Sequence, residues 1–177
     1  MVEALDFTAK PTVLVVDDTA DNLAVISGLL KDLYKIKIAS NGDKALQIVH
    51  SSPPNLILLD IMMPGLSGYE VCLRLKSDAA TRDIPVIFLT ALASAEDESK
   101  GLELGAEDYI TKPVNPSILR ARVKTHLRIK GVIDFLRDRA AYLERELVQR
   151  STSELDFTES VRQIAQEFRA ATERFGK

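Results

Sequence analysis

Short apolar runs alternate with amphipathic segments in the N-terminal part of this 177-residue chain, and this alternation is the feature that most restricts its fold. Five runs rich in β-branched residues recur at regular intervals: Thr12–Val16, Tyr34–Ala39, Leu56–Leu59, Pro85–Leu89 and Asp108–Thr111. The segments between them carry apolar residues at helical spacing, for example Leu23, Ile26 and Leu30. Because runs such as Val13–Val16 are apolar at every position, we expect strands that are buried on both faces. The sequence therefore predicts a doubly wound α/β fold around a five-stranded parallel sheet.

Composition excludes several functional classes. The single cysteine, Cys72, excludes an internal disulfide and a cysteine-based zinc site, and two histidines are too few for a multi-histidine metal site. The 23 basic and 26 acidic residues give a net charge of -3, which offers no electrostatic reason for nucleic-acid binding. No apolar run approaches the ~18 residues of a membrane-spanning helix, and residues 1–10, an N-terminal extension, lack a secretory signal. We expect a cytoplasmic protein with no membrane contact and no direct nucleic-acid contact.

Polar residues follow the predicted strands at the points where the strands end. They stand after the first, third, fourth and fifth strands: Asp17, Asp18, Asp60, Thr90 and Lys112. In an open parallel sheet, functional groups gather beyond the carboxyl ends of the strands. Converging carboxylates repel one another unless a cation joins them, and an all-oxygen set favours a hard cation such as Mg²⁺. With an ammonium and a hydroxyl beside it, such a site can hold a phosphoryl group, and one carboxylate can accept it.

Four strings in this part of the chain resemble the receiver domain of two-component response regulators. They are Val13–Asp18, Leu58–Glu70, Pro85–Ala91 and Gly105–Pro113. Their order, spacing and placement at strand ends make the resemblance specific over residues 11–130, and it extends to the receivers that precede cyclic-di-GMP turnover domains. The resemblance implies a flavodoxin-like sheet with strand order 2-1-3-4-5. It also implies a protein that is not an enzyme, apart from catalysing its own phosphorylation and dephosphorylation.

The resemblance also implies a role for each acidic residue. Asp60 is the phosphoacceptor and receives a phosphoryl group from a sensor histidine kinase or a phosphotransfer protein. Asp18 and Asp60 ligate Mg²⁺ directly, together with the main-chain carbonyl of Met62. Asp17 contributes to the same metal site through a bound water.

Three further positions match the switching elements of that family. Thr90 and Lys112 bind the phosphoryl oxygens after transfer. Tyr109 stands at the position of the family's switch aromatic, which moves inward as Thr90 shifts towards the phosphoryl group. The Lys112–Pro113 bond is expected to be cis, which costs little before proline.

The C-terminal residues, 131–177, form a helical extension with a heptad pattern. Apolar residues alternate at spacings of four and three along a seam: Ile129, Ile133, Leu136, Ala140, Leu143 and Leu147. Such a seam predicts a coiled coil. We favour intermolecular pairing, as a homodimer or by docking on a partner protein, over docking of the stripe on its own receiver.

A second apolar stretch continues the seam in phase after a polar interruption. Its members are Phe157, Val161, Ile164, Phe168, Ala171 and Phe175. One long helix and a helical hairpin both fit this pattern. Ser151 followed by Glu154 resembles a capping box, which favours a break at residues 151–153.

Two other functions compete with a phosphoreceiver. A haloacid-dehalogenase-like Mg²⁺-dependent phosphatase also uses a strand-end aspartate, but it needs a second aspartate where this chain has Met62. A receiver-like adaptor that never takes phosphate would not need the complete acidic set. We expect no DNA-binding unit after Gly131, because basic residues there alternate with acidic ones, and the 47 residues after Lys130 are too few for a cyclase or phosphodiesterase domain. Whether the chain is a shortened relative or a piece of a longer protein stays open.

Overall fold

A computed structural model of the chain describes residues 10–91, 101 and 103–175. The elements, in chain order, are β1 (Thr12–Val16), α1 (Ala20–Leu30), β2 (Lys35–Ala39), α2 (Gly42–Ser51), β3 (Leu56–Asp60), α3 (Gly68–Ser77), β4 (Val86–Thr90), β5 (Asp108–Thr111) and α4 (Pro116–Phe175). The chain divides into two compact units, Met1–Gly131 and Val132–Lys177. Apart from Lys10, the N-terminal extension predicted at residues 1–10 lies outside the described residues.

The five strands form one parallel sheet in the order β2-β1-β3-β4-β5, which confirms the predicted fold class. Val16 of β1 pairs with Leu59 of β3, and Asp60 of β3 pairs with Leu89 of β4. This register aligns the carboxyl ends of the central strands, so the residues that follow β1, β3 and β4 gather at one edge of the sheet.

The apolar core lies in two layers, one on each face of the sheet. All residues of β3 and β4 are buried, as expected for strands that are covered on both sides. One layer packs α2 and α3 against the sheet, and the other packs α1 and the first turns of α4 against it. Leu119 and Val123 are fully buried in the second layer, so this part of α4 closes onto the sheet.

Helix α4 runs without interruption from Pro116 to Phe175, so the break expected at residues 151–153 is wrong. Residues 151–153 do not end the helix because none of them is a strong helix breaker. Serine and threonine lower helix stability by less than about 1 kcal/mol per residue, and the sequence contains neither glycine nor proline between residues 132 and 175. The side chains at most positions of the second apolar stretch, from Phe157 onwards, lie outside the described set. None of the described helices is both long and apolar enough to cross a membrane.

Candidate functional site

Three carboxylates converge where β1 and β3 end. One oxygen from each of Asp17, Asp18 and Asp60 lies within 4.8 Å of the other two. Asp17 is fully buried and Asp60 is 4% exposed, whereas Asp18 faces solvent. The structure thus brings together the acidic residues that the sequence placed at separate strand ends.

The ammonium of Lys112 lies between two of these carboxylates. Its Nζ is 2.7 Å from Oδ2 of Asp17 and 3.0 Å from Oδ1 of Asp60. The backbone fixes this position, because the N–H of Lys112 donates to the carbonyl of Thr90 at 2.7 Å. The Lys112–Pro113 peptide bond is cis, as expected.

The site holds more negative than positive charge. Burial raises the pKa of the Asp60 carboxyl, while the hydrogen bond from Lys112 and one from the backbone N–H of Met62 oppose this rise. Burial alone would lower the pKa of Lys112, but its hydrogen bonds to Asp17 and Asp60 outweigh that effect, and its pKa is raised. Lys112 therefore stays charged, and one ammonium faces three carboxyl groups.

The two adjacent aspartates have different environments. Asp17 accepts hydrogen bonds from the backbone N–H of Thr19 at 2.9 Å and from Nδ2 of Asn22 at 3.0 and 3.1 Å, in addition to its contact with Lys112. Both of its oxygens are therefore engaged by the protein. Among the described residues, the Asp18 side chain accepts one hydrogen bond, from the hydroxyl of Thr19 at 3.4 Å. Asp18 consequently has oxygen lone pairs available for an outside ligand.

Asn22 is a site residue that sequence reasoning missed. It lies in the first turn of α1 and reaches back to Asp17, five residues earlier. A polar residue at the start of a helix normally faces solvent, so the sequence offered no distinguishing signal.

Thr90 and Tyr109 lie at the carboxyl end of β4 and in β5. Thr90 is buried, and Tyr109 is half-buried against the apolar layer that contains α2 and α3. The guanidinium of Arg122 lies 5.7 Å from the centre of the Tyr109 ring and also binds the Asp108 carboxylate. Nε2 of His126 lies 3.1 Å from the same carboxylate. The sequence did not predict this cluster, because its members come from β5 and α4.

Gly68 keeps the loop that follows β3 close to that strand. A Cβ at this position would lie 2.2 Å from the carbonyl oxygen of Asp60, so only glycine fits there without a shift of the backbone. The next helix begins with a capping box, in which Ser67 and Glu70 each bond the backbone N–H of the other. Met62, in the same loop, has a side chain that is 62% exposed.

The donor set fits a hard divalent cation. Three carboxylates within reach of a single ion are oxygen ligands, and neither histidine nor cysteine belongs to the cluster among the residues that the structure describes. Mg²⁺ prefers such oxygen donors and completes its shell with water. The exposed carboxylate of Asp18 leaves room for water on the solvent side.

Comparison with known proteins places this geometry in a family. Residues 13–124 match the family "Response regulator receiver domain". A Vibrio cholerae protein named "Probable cyclic di-GMP phosphodiesterase" is 49% identical over 153 residues, which cover 86% of this chain and 34% of that protein. "Response regulator PleD" of Caulobacter vibrioides is 45% identical over 130 residues, which cover 73% of this chain and 29% of that protein.

Solved structures agree with the sequence comparison. The structure entitled "BeF3 Activated DrrB Receiver Domain" is similar with a TM-score of 0.62 at 39% identity, covering 67% of this chain and 98% of that domain. The alignments with the two curated relatives span only about a third of those proteins. The matched family covers more than half of the chain, including β1 to β5 and the start of α4, and the chain belongs to the response regulator receiver domain family.

Proposed function

We propose that the chain is a phosphoreceiver that accepts a phosphoryl group on Asp60 from a sensor histidine kinase or a phosphotransfer protein. The observation that carries this proposal is a buried carboxylate that contacts Lys112 within a cluster of three aspartates. A buried acceptor next to one ammonium and two further carboxylates is arranged to bind a phosphoryl group and a cation together.

Transfer is a displacement at phosphorus. A carboxylate oxygen of Asp60 attacks the phosphorus atom, and a P–O bond forms while the P–N bond to the donor's imidazole breaks. The imidazole leaves with the electron pair of that bond. The Lys112 ammonium, now 3.0 Å from Asp60, and the Thr90 hydroxyl bind the phosphoryl oxygens.

Asp18 and Asp60 would hold a magnesium ion, together with the main-chain carbonyl of Met62. Asp17 acts through a bound water, because Thr19, Asn22 and Lys112 already occupy both of its oxygens. The bound cation supplies positive charge that offsets the repulsion between the carboxylates and the incoming phosphoryl group.

Phosphorylation of Asp60 changes the positions of the residues around it. A phosphoryl group on Asp60 draws Lys112 from Asp17, and Thr90 moves towards it while Tyr109 turns further inward. This change controls homodimerisation or partner binding through the seam of α4. The chain itself performs no other catalysis, works in the cytoplasm and makes no direct contact with nucleic acid or membrane. The phosphodiesterase name of the Vibrio cholerae relative refers to a protein of which the alignment covers only 34%.

The test is acceptance of a phosphoryl analogue. Full-length protein is treated with beryllofluoride or acetyl phosphate in the presence and absence of Mg²⁺, and the Asp60→Ala variant is treated in parallel. We expect a modification in the wild type that requires Mg²⁺ and is absent from the variant, read by intact mass and by NMR. Asp43→Ala, which removes an exposed aspartate from α2, is the matched control and retains the response. A response that persists in Asp60→Ala would refute the assignment. Light scattering on the same samples measures whether the modification changes the oligomeric state.

A further inference from the structure

The edge strand β5 presents Asp108 and Tyr109 to opposite faces of the sheet, because successive side chains of a strand alternate between faces. Ile110, two residues after Asp108, belongs to the apolar layer formed with α1 and α4, whereas Tyr109 packs against the layer that contains α2 and α3. β5 is the last strand in the order β2-β1-β3-β4-β5. A long side chain from α4 can therefore pass around this edge and contact residues on both faces.

Arg122 of α4 contacts both of these side chains. Its guanidinium binds the Asp108 carboxylate, and the central carbon of the same guanidinium lies 5.7 Å from the centre of the Tyr109 ring. A cation within about 6 Å of an aromatic ring centre is attracted by the electrons of the ring face. One arginine thus joins an aromatic ring on one face of the sheet to a carboxylate on the other.

The Asp108 carboxylate fixes the position of the guanidinium. Its Oδ1 accepts a hydrogen bond from the backbone N–H of Tyr109 at 2.8 Å, and Nε2 of His126 lies 3.1 Å from its Oδ2. The side chains of Asp108 and His126 are both mostly buried. Because groups from β5 and α4 hold this carboxylate, we expect the guanidinium bound to it to stay at the edge of the sheet when the ring moves.

The inward movement of Tyr109 leads away from Arg122. Tyr109 pairs with Phe88 of β4, and Thr90, two residues after Phe88, points to the same face of the sheet as Phe88. Thr90 is buried, whereas Tyr109 is half-buried. A ring that turns towards Thr90 moves over β4, while Arg122 stays on the outer side of β5. The contact with Arg122 and the inward position of the ring are therefore alternatives.

We propose that Arg122 is a positioning residue that holds Tyr109 in its half-buried position and thereby opposes the phosphorylated state of Asp60. This inference rests on the phosphoreceiver function proposed above and adds a residue that sets how readily phosphorylation switches the protein. A contact made in only one of two conformations shifts the equilibrium towards that conformation. Loss of the contact therefore favours the inward position of the ring and any ligand of Asp60 that binds together with it.

A beryllofluoride titration of the full-length protein tests the proposal. Binding is followed by fluorine NMR at saturating Mg²⁺ in the wild type and in Arg122→Gln, which keeps a polar side chain but removes the charge. We expect the variant to bind beryllofluoride about threefold more tightly than the wild type, because a contact between a cation and an aromatic ring at a partly exposed site contributes an effect of this size.

A double-mutant cycle separates the contact with the ring from a purely structural role of Arg122. Tyr109→Leu keeps an apolar side chain but removes the ring, so we expect Arg122→Gln to change the affinity by less than about 1.5-fold in that background. A role confined to holding α4 against β5 would give the same change in both backgrounds. Arg120→Gln is the matched control. It removes an exposed arginine of the same helix, whose Nε donates to the carbonyl of Leu29 at 3.1 Å, and we expect wild-type affinity.

Arg122→Lys replaces Arg122→Gln in the same cycle if the glutamine variant does not fold. Lysine keeps a positive charge opposite Asp108, but its ammonium is a point charge without the planar shape that lies against a ring. We expect a smaller gain in affinity that again disappears with Tyr109→Leu. An unchanged or weakened affinity in a folded Arg122 variant, or an equal effect with and without the ring, would overturn this inference alone. If the wild type does not bind beryllofluoride, the phosphoreceiver function fails and this inference fails with it.

Discussion

Helix α4 carries two apolar stripes with similar spacing that differ in what covers them. Leu119 and Val123 are fully buried against the sheet, whereas Ile133, Leu136 and Leu143 leave 46–59% of their surface exposed. The first stripe stabilises the fold of one chain, whereas the described residues of the second stripe stay exposed within that chain. The comparison shows that a helical pattern of apolar residues predicts burial without specifying which surface provides it.

Alanine substitution in each stripe is expected to give the largest difference in the free energy of unfolding. Leu119→Ala leaves a cavity in the core and lowers the free energy of unfolding by about 3 kcal/mol. Leu143→Ala changes it by less than about 0.5 kcal/mol at concentrations where the protein is monomeric, since an exposed side chain leaves no cavity. Urea denaturation of both variants measures the difference. Equal destabilisation by the two substitutions would mean that the second stripe also packs within its own chain.

The buried carboxylates Asp17 and Asp60 pair with Lys112 within the chain, and removal of Lys112 tests what these contacts contribute to stability. Lys112→Ala leaves Asp17 buried without its cationic partner, so we expect unfolding to become easier by roughly 2 kcal/mol. The effect is smaller than for a fully buried pair because the Lys112 side chain is 20% exposed. Adding Mg²⁺ recovers part of the loss, since a cation compensates the same carboxylates.

Thermal unfolding with and without Mg²⁺ measures this effect. Lys44→Ala, which removes an exposed lysine from α2, is the control and shows little change. If the Lys112→Ala variant were as stable as the wild type without Mg²⁺, the Lys112–Asp17 contact would contribute nothing to the fold.

Asn22 tests whether the residues around the carboxylates matter for function as well as for stability. Its amide binds both oxygens of Asp17 and fixes the orientation of that carboxylate. Outer-shell partners of metal ligands typically contribute 10–100-fold to metal affinity, so Asn22→Ala is expected to weaken Mg²⁺ binding about tenfold.

Titration calorimetry with Mg²⁺ checks this prediction. Asp21→Ala, in the neighbouring exposed position, keeps an affinity within about twofold of the wild type. An unchanged affinity in Asn22→Ala would show that Thr19 and Lys112 alone orient Asp17.

The sheet and the convergence of the strand-end residues could be predicted from the sequence, because parallel strands bring their carboxyl ends to one edge. Asp17, Asp60 and Lys112 meet for this reason alone. The contacts of Asn22 and of the Asp108 carboxylate could not be predicted in the same way. They depend on the rotation of a helix about its axis and on the packing distance between elements, and neither is encoded in a local pattern.

The capping pattern also shows that a local sequence pattern does not by itself determine the structure. The sequence contains a serine followed three residues later by a glutamate at Ser67–Glu70 and again at Ser151–Glu154. The first begins α3, and the second lies inside α4. The two patterns differ in the chain that precedes them. Gly65, with φ +76°, turns the chain before Ser67. An established helix precedes Ser151. A capping pattern therefore starts a helix only where the preceding chain has left the helical conformation.

Glu70→Gln measures the contribution of the capping box and gives the smallest of these effects. Hydrogen bonds from the side chain and backbone of Ser67 lower the pKa of the Glu70 carboxyl, so its charged form is favoured in the folded state. The stabilisation is therefore present above the pKa that Glu70 has in the unfolded chain and is lost as the pH falls through its lowered pKa in the folded state. We expect the variant to melt slightly below the wild type at neutral pH and the difference to shrink in acid, as followed by circular dichroism. A difference that stays constant down to pH values below both pKa values would show that the charge of Glu70 does not stabilise the start of α3.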